Sequence, residues 1–428
     1  MIPSRLTPRR KRVLRQATRW IALLGGVALA WPWRWGSTGS VLLPALSPFI
    51  ATASGISVRT VGILAGLAIP VVVLAGVVPR WFCRHACPTG LLLDGAQRLR
   101  SPAPRRGKGW PPVGRWLLLL TLGGACVGYP LFLWLDPLAI FNGFLNAWRR
   151  PLAVGALLGG LGLPLLLALE IAAPALWCRR LCPLGATQDF LFAGRRFLRR
   201  PRRGGKGRDV REASPNLGRR WFLAGASAAM GAFAARVARG GDRTALLRPP
   251  GALGQGRFTG VCVRCGNCAQ VCPAKIIKPD VGPGGLAGLL APRLRFDRDY
   301  CRADCCLCGR VCPSGAIARL PLPAKRRQVI GLAVVNLDSC LLAQGRECTA
   351  CLRKCPFEAL EMVSSDGGFS NEPRVIAVRC TGCGACEVVC PAEPLRAITV
   401  QPSARALLLE DPPFPRNDLA RPLSRTAG

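Results

Sequence analysis

Apolar residues run long in the first half of this chain and shrink to strand-sized bursts in the second, and that change of period divides it. Residues 21–35, 61–78, 116–135 and 152–177 are four apolar runs that read as membrane spans, and 221–237, rich in Ala and Gly, is a fifth. Residues 41–50 are apolar but too short to cross. Beyond residue 270 the runs AKIIK, GAIARL, EALEMV and LRAITV, with RLRFD, LAVVNLD and RVIAV, have the length of strands. The expected order is an α-helical membrane domain of about four spans at 1–218, a signal-anchor span at 219–238, an α+β domain at 239–401 and a Pro-rich tail at 402–428.

Composition supports the division. Half of the 428 residues are hydrophobic and the mean hydropathy is +0.27, more apolar than an ordinary globular chain. The net charge of +37 would suggest nucleic acid if it covered one face. It does not: 33 of the 59 Lys/Arg, against 6 Asp/Glu, fall in residues 1–238. Segments 1–20, 80–116 and 178–220 carry 7, 8 and 13 of them, while the alternate loops carry only Arg34, Arg59, Arg149 and Arg150. That is the positive-inside bias, so membrane topology accounts for the charge and residues 239–428 are expected on the outer side.

The chemistry lies in the cysteines. Cys262, Cys265, Cys268 and Cys272 spell CxxCxxCxxxCP, and Cys380, Cys383, Cys386 and Cys390 repeat it. Cys301, Cys305, Cys308 and Cys312 stretch the first gap to three residues, and Cys340, Cys348, Cys351 and Cys355 stretch it to seven. Three thiolates on a tight turn reach three irons of a cuboidal cluster, and the proline after the fourth turns the chain away. This is the bacterial ferredoxin spacing for [4Fe-4S] clusters, so 239–401 is expected to be a polyferredoxin of tandem repeats holding four of them. Zinc ribbons use pairs of CxxC and lack both the third cysteine and the CxxxCP ending. Cys306 is either a spare or a replacement for Cys301.

Two further motifs, Cys83 to Gly90 (CRHACPTG) and Cys178 to Gly185 (CRRLCPLG), end the second and fourth runs on the same side. Their four thiols, Cys83, Cys87, Cys178 and Cys182, supply either the ligands of a fifth cluster or thiol pairs in a reducing compartment. Cys126, inside the third run, reads as a small apolar packing residue. Arg219-Arg220-Trp221-Phe222-Leu223 before an Ala/Gly-rich segment reads as a twin-arginine export signal in mid-chain.

On these motifs, residues 61–190 resemble the membrane ferredoxin NapH and relatives of the NosR type. Residues 219–400 resemble the exported four-cluster ferredoxin NapG/MauM. No ferredoxin motif follows Cys182 on the same side, which departs from the NapH pattern. The resemblance implies a protein of the bacterial inner membrane with its ferredoxin domain facing the periplasm, passing electrons from the quinol pool to a periplasmic reductase or cytochrome. It also suggests that the first motif shares its clusters with the fourth and the second with the third. The alternative is a maturation or redox-regulatory factor, but four tandem clusters favour conduction. Independent catalysis is not expected: the single histidine is His85, and there is no phosphate loop or nucleotide fingerprint. A quinol dehydrogenase-type component would need a base. Glu170 is the one carboxylate well inside a run, roughly 12 Å along a helix from Cys178. It either pairs with an Arg or reaches the interface, or it accepts a quinol proton. A layer about 30 Å thick would separate the CxxxCP cysteines from the outer domain. With no histidine for haem in the spans, mobile quinol or a partner would have to bridge it.

Overall fold

The computed structural model describes residues 7–30, 39–59, 63–99, 112–148, 154–198, 227, 230–231, 245–365 and 370–402. The twin-arginine motif, nearly all of the fifth run and the tail after residue 402 lie outside them.

The four expected spans before residue 178 are not formed among the described residues. Among the described residues no helix is long and apolar enough to cross a membrane. The longest, α1 (Pro8–Ala30), opens with a run of Arg and Lys. The apolar runs are cut into α2 (Pro48–Val58), α3 (Ile69–Val77), α4 (Pro88–Arg98), α5 (Val113–Cys126), α6 (Pro137–Trp148), α7 (Val154–Gly160), α8 (Gly162–Ala172) and α9 (Pro183–Leu198). Prolines and glycines do the cutting: a 3₁₀ turn at Ile63–Ala68 precedes Pro70, and α5 ends before Gly128 in a left-handed conformation. At seven to sixteen residues these helices are shorter than a membrane span, and Phe49, Leu93, Leu118, Leu133 and Leu138 are fully or almost fully buried among them. Hydropathy along a run does not tell a bundle core from a span. The inner-membrane location rested on the spans and falls with them. Outward faces still leave Ile21, Leu24, Ile69, Val73 and Leu165 exposed.

The helical half is built on a duplication. Helix, CxxxCP turn and helix recur as α3, Trp81–His85 and α4, then as α8, Trp177–Leu181 and α9. In each copy the proline of the motif starts the second helix, where its missing N–H and fixed φ do no harm. Cross-packing of α8 on α4 and of α9 on α3 brings the two turns together.

The carboxy-terminal half has three antiparallel ribbons: β1 (Ile277–Pro279) with β2 (Pro292–Leu294), β3 (Leu332–Val335) with β6 (Ile398–Gln401), and β4 (Leu360–Ser365) with β5 (Ser370–Val375). Six of the seven strand-like runs overlap these strands. GAIARL forms only a bridge, Ala252 to Ile317. The pattern is one topology used twice. The run after motif one pairs with the run before motif two, and the flanks of that unit meet at the Ala252–Ile317 bridge. Motifs three and four repeat this with β4–β5 inside and β3–β6 outside.

Candidate iron-sulfur centres

Each four-cysteine motif is a loop followed by one helical turn, at Asn267–Val271, Leu307–Arg310, Ala350–Lys354 and Ala385–Val389, with the fourth cysteine just beyond it. The turn carries that cysteine away from its own loop and into another. Cys262, Cys265 and Cys268 share a cavity with Cys312, and Cys301, Cys305 and Cys308 share one with Cys272. Cys340, Cys348 and Cys351 are joined by Cys390, and Cys380, Cys383 and Cys386 by Cys355. Motif one is therefore crossed with two, and three with four. The expected pairing of first with fourth and second with third is wrong, because the inner strands of each ribbon unit tie consecutive motifs side by side. Cys301 lines its cavity and Cys306 does not.

The rings suit a polynuclear cluster. Among the described residues no three Cys, His, Asp or Glu side chains converge as they would on a single ion. The cysteines instead surround a hollow, one thiolate per corner iron. Burial pushes these thiols up, Cys301 and Cys351 to about 11 and Cys308 to about 12, with neighbouring cysteines pushing Cys351 and Cys308 further. Four thiolates packed this way call for the positive charge that iron supplies. Backbone N–H groups of Ile317 and Ala359 donate to Cys312 Sγ (3.4 Å) and Cys355 Sγ (3.3 Å), contacts that set cluster potential.

The four rings are linked in series, one to two, two to four and four to three. Rings one and two share their crossed cysteines, as do three and four. The two units join where Cys301 N–H donates to the Cys383 carbonyl (2.9 Å) and Ile330 N–H to the Thr381 carbonyl (2.8 Å). Phe296, from the first unit, lies against Gly384, which has φ +86° and no room for a Cβ. The first ring abuts the helical half. There Asn142 and Asn146 of α6 donate through Nδ2 to the Cys265 carbonyl (3.0 and 2.8 Å) and share Asn267 Oδ1 (2.8 and 3.1 Å). Arg257 reaches the Ser57 carbonyl (2.7 Å), and Gln270 the Asn146 carbonyl (2.7 Å).

The structure also brings the CxxxCP turns together. Cys87, Cys182 and Cys178 pack in one apolar cluster that extends to Val263 and Cys265. The Cys87 thiol accepts from Gly90 N–H (3.3 Å), and Gln188 donates to Cys83 Sγ (3.1 Å) while accepting from Phe82 N–H (3.1 Å). Arg80 forks onto Asp189 (2.6 and 2.9 Å) and donates to the Cys178 carbonyl (3.1 Å), tying one turn to the other. Burial raises Cys83 to about 11 and Cys87 to about 12. The expected 30 Å gap disappears with the spans: α6, twelve residues and about 18 Å long, starts at the Asp136 cap beneath Ser47 and ends at the first ring.

Glu170 is fully buried. Its Oε1 accepts from Ala175 N–H (2.8 Å) and from Gln97, and its Oε2 from Trp177 N–H (3.2 Å). It thus holds the bend after α8 that leads into Cys178, and no Arg pairs with it in these contacts. Cys126 is exposed at the end of α5, not packed as expected. Arg80, Gln188, Asn142 and Asn146 were not singled out from the sequence. The signal was there, since each is a polar residue interrupting an apolar stretch, two of them one helical turn apart.

Comparison with known proteins decides the class. The 4Fe-4S dicluster domain matches residues 346–395, which hold Cys348, Cys351, Cys355 and the whole fourth motif. A 4Fe-4S binding domain matches 60–107 and 153–201, one CxxxCP motif in each. The ferredoxin-type protein NapG of Escherichia coli (strain K12) is 37% identical over 198 residues, 43% of this chain and 85% of NapG. The chain belongs to the NapG family of ferredoxin-type proteins. Among other similar proteins, NapG of Haemophilus influenzae is 32% identical over 34% of this chain and 56% of its own length. The methylamine utilization ferredoxin-type protein MauM of Methylophilus methylotrophus is 35% identical over 34% of this chain and 66% of MauM. No solved structure matches the chain. Like its family, this is an iron-sulfur protein of the 4Fe-4S ferredoxin type, and electron transport is the work of such domains.

Proposed function

We propose that the chain is a molecular wire of four [4Fe-4S] clusters, with a fifth at Cys83, Cys87, Cys178 and Cys182, carrying electrons from a quinol-class donor to a periplasmic reductase or cytochrome. The observation that carries this is the unbroken order of the sites: CxxxCP turns, α6, ring one, ring two, then the Cys301–Cys383 contact, and beyond it the two rings of motifs three and four. A sensor needs one cluster, and a maturation factor has no use for a line of them. The ligands of the four are the crossed sets, each with one cysteine from the neighbouring motif. The clusters themselves supply one-electron chemistry. The chain's part is to space them, keep water out and direct N–H groups at the sulfurs. The resemblance of residues 61–190 to the NapH/NosR type belongs to the same reading, as an electron-entry module joined to the ferredoxin in one polypeptide. Glu170, with both oxygens engaged by N–H donors, positions the Cys178 turn in that module.

Breaking the middle of the line tests the proposal. Cys305→Ser removes a ligand of ring two and leaves both ends of the line. Menadiol-driven reduction of cytochrome c by the purified cluster-loaded chain should fall at least tenfold while about four fifths of the iron remains. Unchanged turnover in the variant, with that iron lost, would show that the clusters are not a series path.

A further inference from the structure

The four cysteine cavities are far from equal. Those of rings two, three and four enclose about 20–30 Å³ each, whereas that of ring one encloses about 390 Å³. Each volume includes the place of the ring's own cluster, and since that place amounts to no more than about 30 Å³ at rings two to four, most of the space at ring one is a chamber beside the ring. That volume lies within the range of small-molecule sites.

The chamber lies where the two halves of the chain meet. Gly143 and Asn146 of α6, Gly159 of α7, Ile277 of β1, Val281 and Ile317 line it together with the ring-one cysteines. Gly159 leaves open space here: a Cβ on it would touch nothing within 4 Å, whereas one on Gly143 would press on the Gly159 carbonyl at 3.3 Å. The lining is mainly apolar, but buried donors interrupt it. Among the described residues Asn267, 2% exposed, has no partner for its Nδ2 and Arg293 none for its Nε, and Asn146 Oδ1 on the same lining is an unpaired acceptor. Unsatisfied buried donors carry a desolvation penalty that an acceptor on a ligand would relieve. Lys278 and Arg295 also line the chamber.

Mainly apolar lining, unpaired donors with an unpaired acceptor among them, and direct access to the first cysteine ring suit a largely apolar ligand with hydroxyl or carbonyl oxygens on its ring. We propose that this chamber is the binding site of the quinol-class donor, at ring one. The assignment rests on the electron-transfer reading above and moves the point of entry from the neighbourhood of Glu170 to the junction of α6, α7 and motif one.

The test uses the purified full-length chain with its clusters intact and the fluorescent quinol analogue 2-heptyl-4-hydroxyquinoline N-oxide. Binding should be saturable at one site per chain and displaced by menadiol. Gly159→Trp, which places an indole in the open space, and Val281→Trp, at a half-exposed position of the lining, should each weaken binding at least tenfold. Iron content and iron-sulfur absorption should stay at wild-type levels. Absence of saturable binding to the wild-type chain, or wild-type affinity in both variants, overturns the site. The wire is scored separately, by electron delivery to cytochrome c from chain reduced with dithionite. Normal delivery without analogue binding removes only this site, and binding without delivery removes only the electron-transfer reading.

Discussion

Gly384 is where the two ferredoxin units depend on a missing side chain, and replacing it by Ala gives a cost that can be worked out. The residue has φ +86°, a backbone region where an L-residue with a Cβ costs about 1–2 kcal/mol. The added Cβ would also lie 2.7 Å from Phe296 Cδ2 and closer still to Cγ, and Phe296 is itself buried and packed with Cys301, Cys383 and Ile330. Overpacking of this kind costs about 1–3 kcal/mol. The total of roughly 2–5 kcal/mol is a large part of a typical domain stability of about 5–15 kcal/mol. At about 2–4 °C per kcal/mol for a unit of this size, the melting transition of the cluster-loaded chain should drop by roughly 4–20 °C. Circular dichroism and visible iron-sulfur absorption should report it together. Gly282→Ala, whose Cβ meets nothing within 4 Å, serves as control and should shift the transition by less than 2 °C. In a Phe296→Leu background the Gly384→Ala change should cost only its backbone part. A Gly384→Ala protein that melts with the Gly282→Ala control would refute the claim that the units meet through this contact.

Cys312→Ser should remove the cluster assigned to the first motif, about four irons, and leave that of the second, while Cys306→Ser should lose none; iron analysis with electron paramagnetic resonance of the reduced chain distinguishes crossed from uncrossed ligation. Glu170→Gln presents an NH₂ group to backbone donors that now meet carboxylate oxygens, so it should cost about 1–3 kcal/mol and raise the alkylation rate of Cys178 in cluster-free protein; an unchanged rate and melting point would remove its positioning role. Asp136 is fully buried, and burial lifts its carboxyl from 3.8 to about 6 despite bonds from Ser47, Ala139 and Leu138. Because the folded value is the higher one, its contribution is full below about pH 4 and is lost as pH rises through about 6, by roughly 3 kcal/mol at most. Asp136→Asn should flatten the stability profile between pH 4 and 7, and a variant that keeps the wild-type slope would assign it to another group.

The sixteen ferredoxin cysteines, their grouping into four motifs and most of the strands were legible in the linear sequence, because cluster loops and short strands are local. A CxxC turn needs only its own residues, and alternation along four to six positions declares a strand. The duplication of the CxxxCP turns was equally plain. Which fourth cysteine joins which three was not, since that depends on the antiparallel partners of β1 to β6, and strand pairing links residues far apart in the chain. The apolar runs misled for a related reason: burial within a bundle and burial in lipid select the same side chains, and only the breaks at Pro70, Gly128 and Leu161 show that the helices are core-sized. Glu170 could be found in the sequence but not understood there, because its meaning lies in the N–H groups of Ala175 and Trp177 that the bend returns to it. The chamber beside the first ring has no sequence signature at all. It is the space left between α6, α7 and motif one once Asn142, Asn146 and Asn267 lock the two halves together, and a space between elements exists only when tertiary packing has fixed their positions.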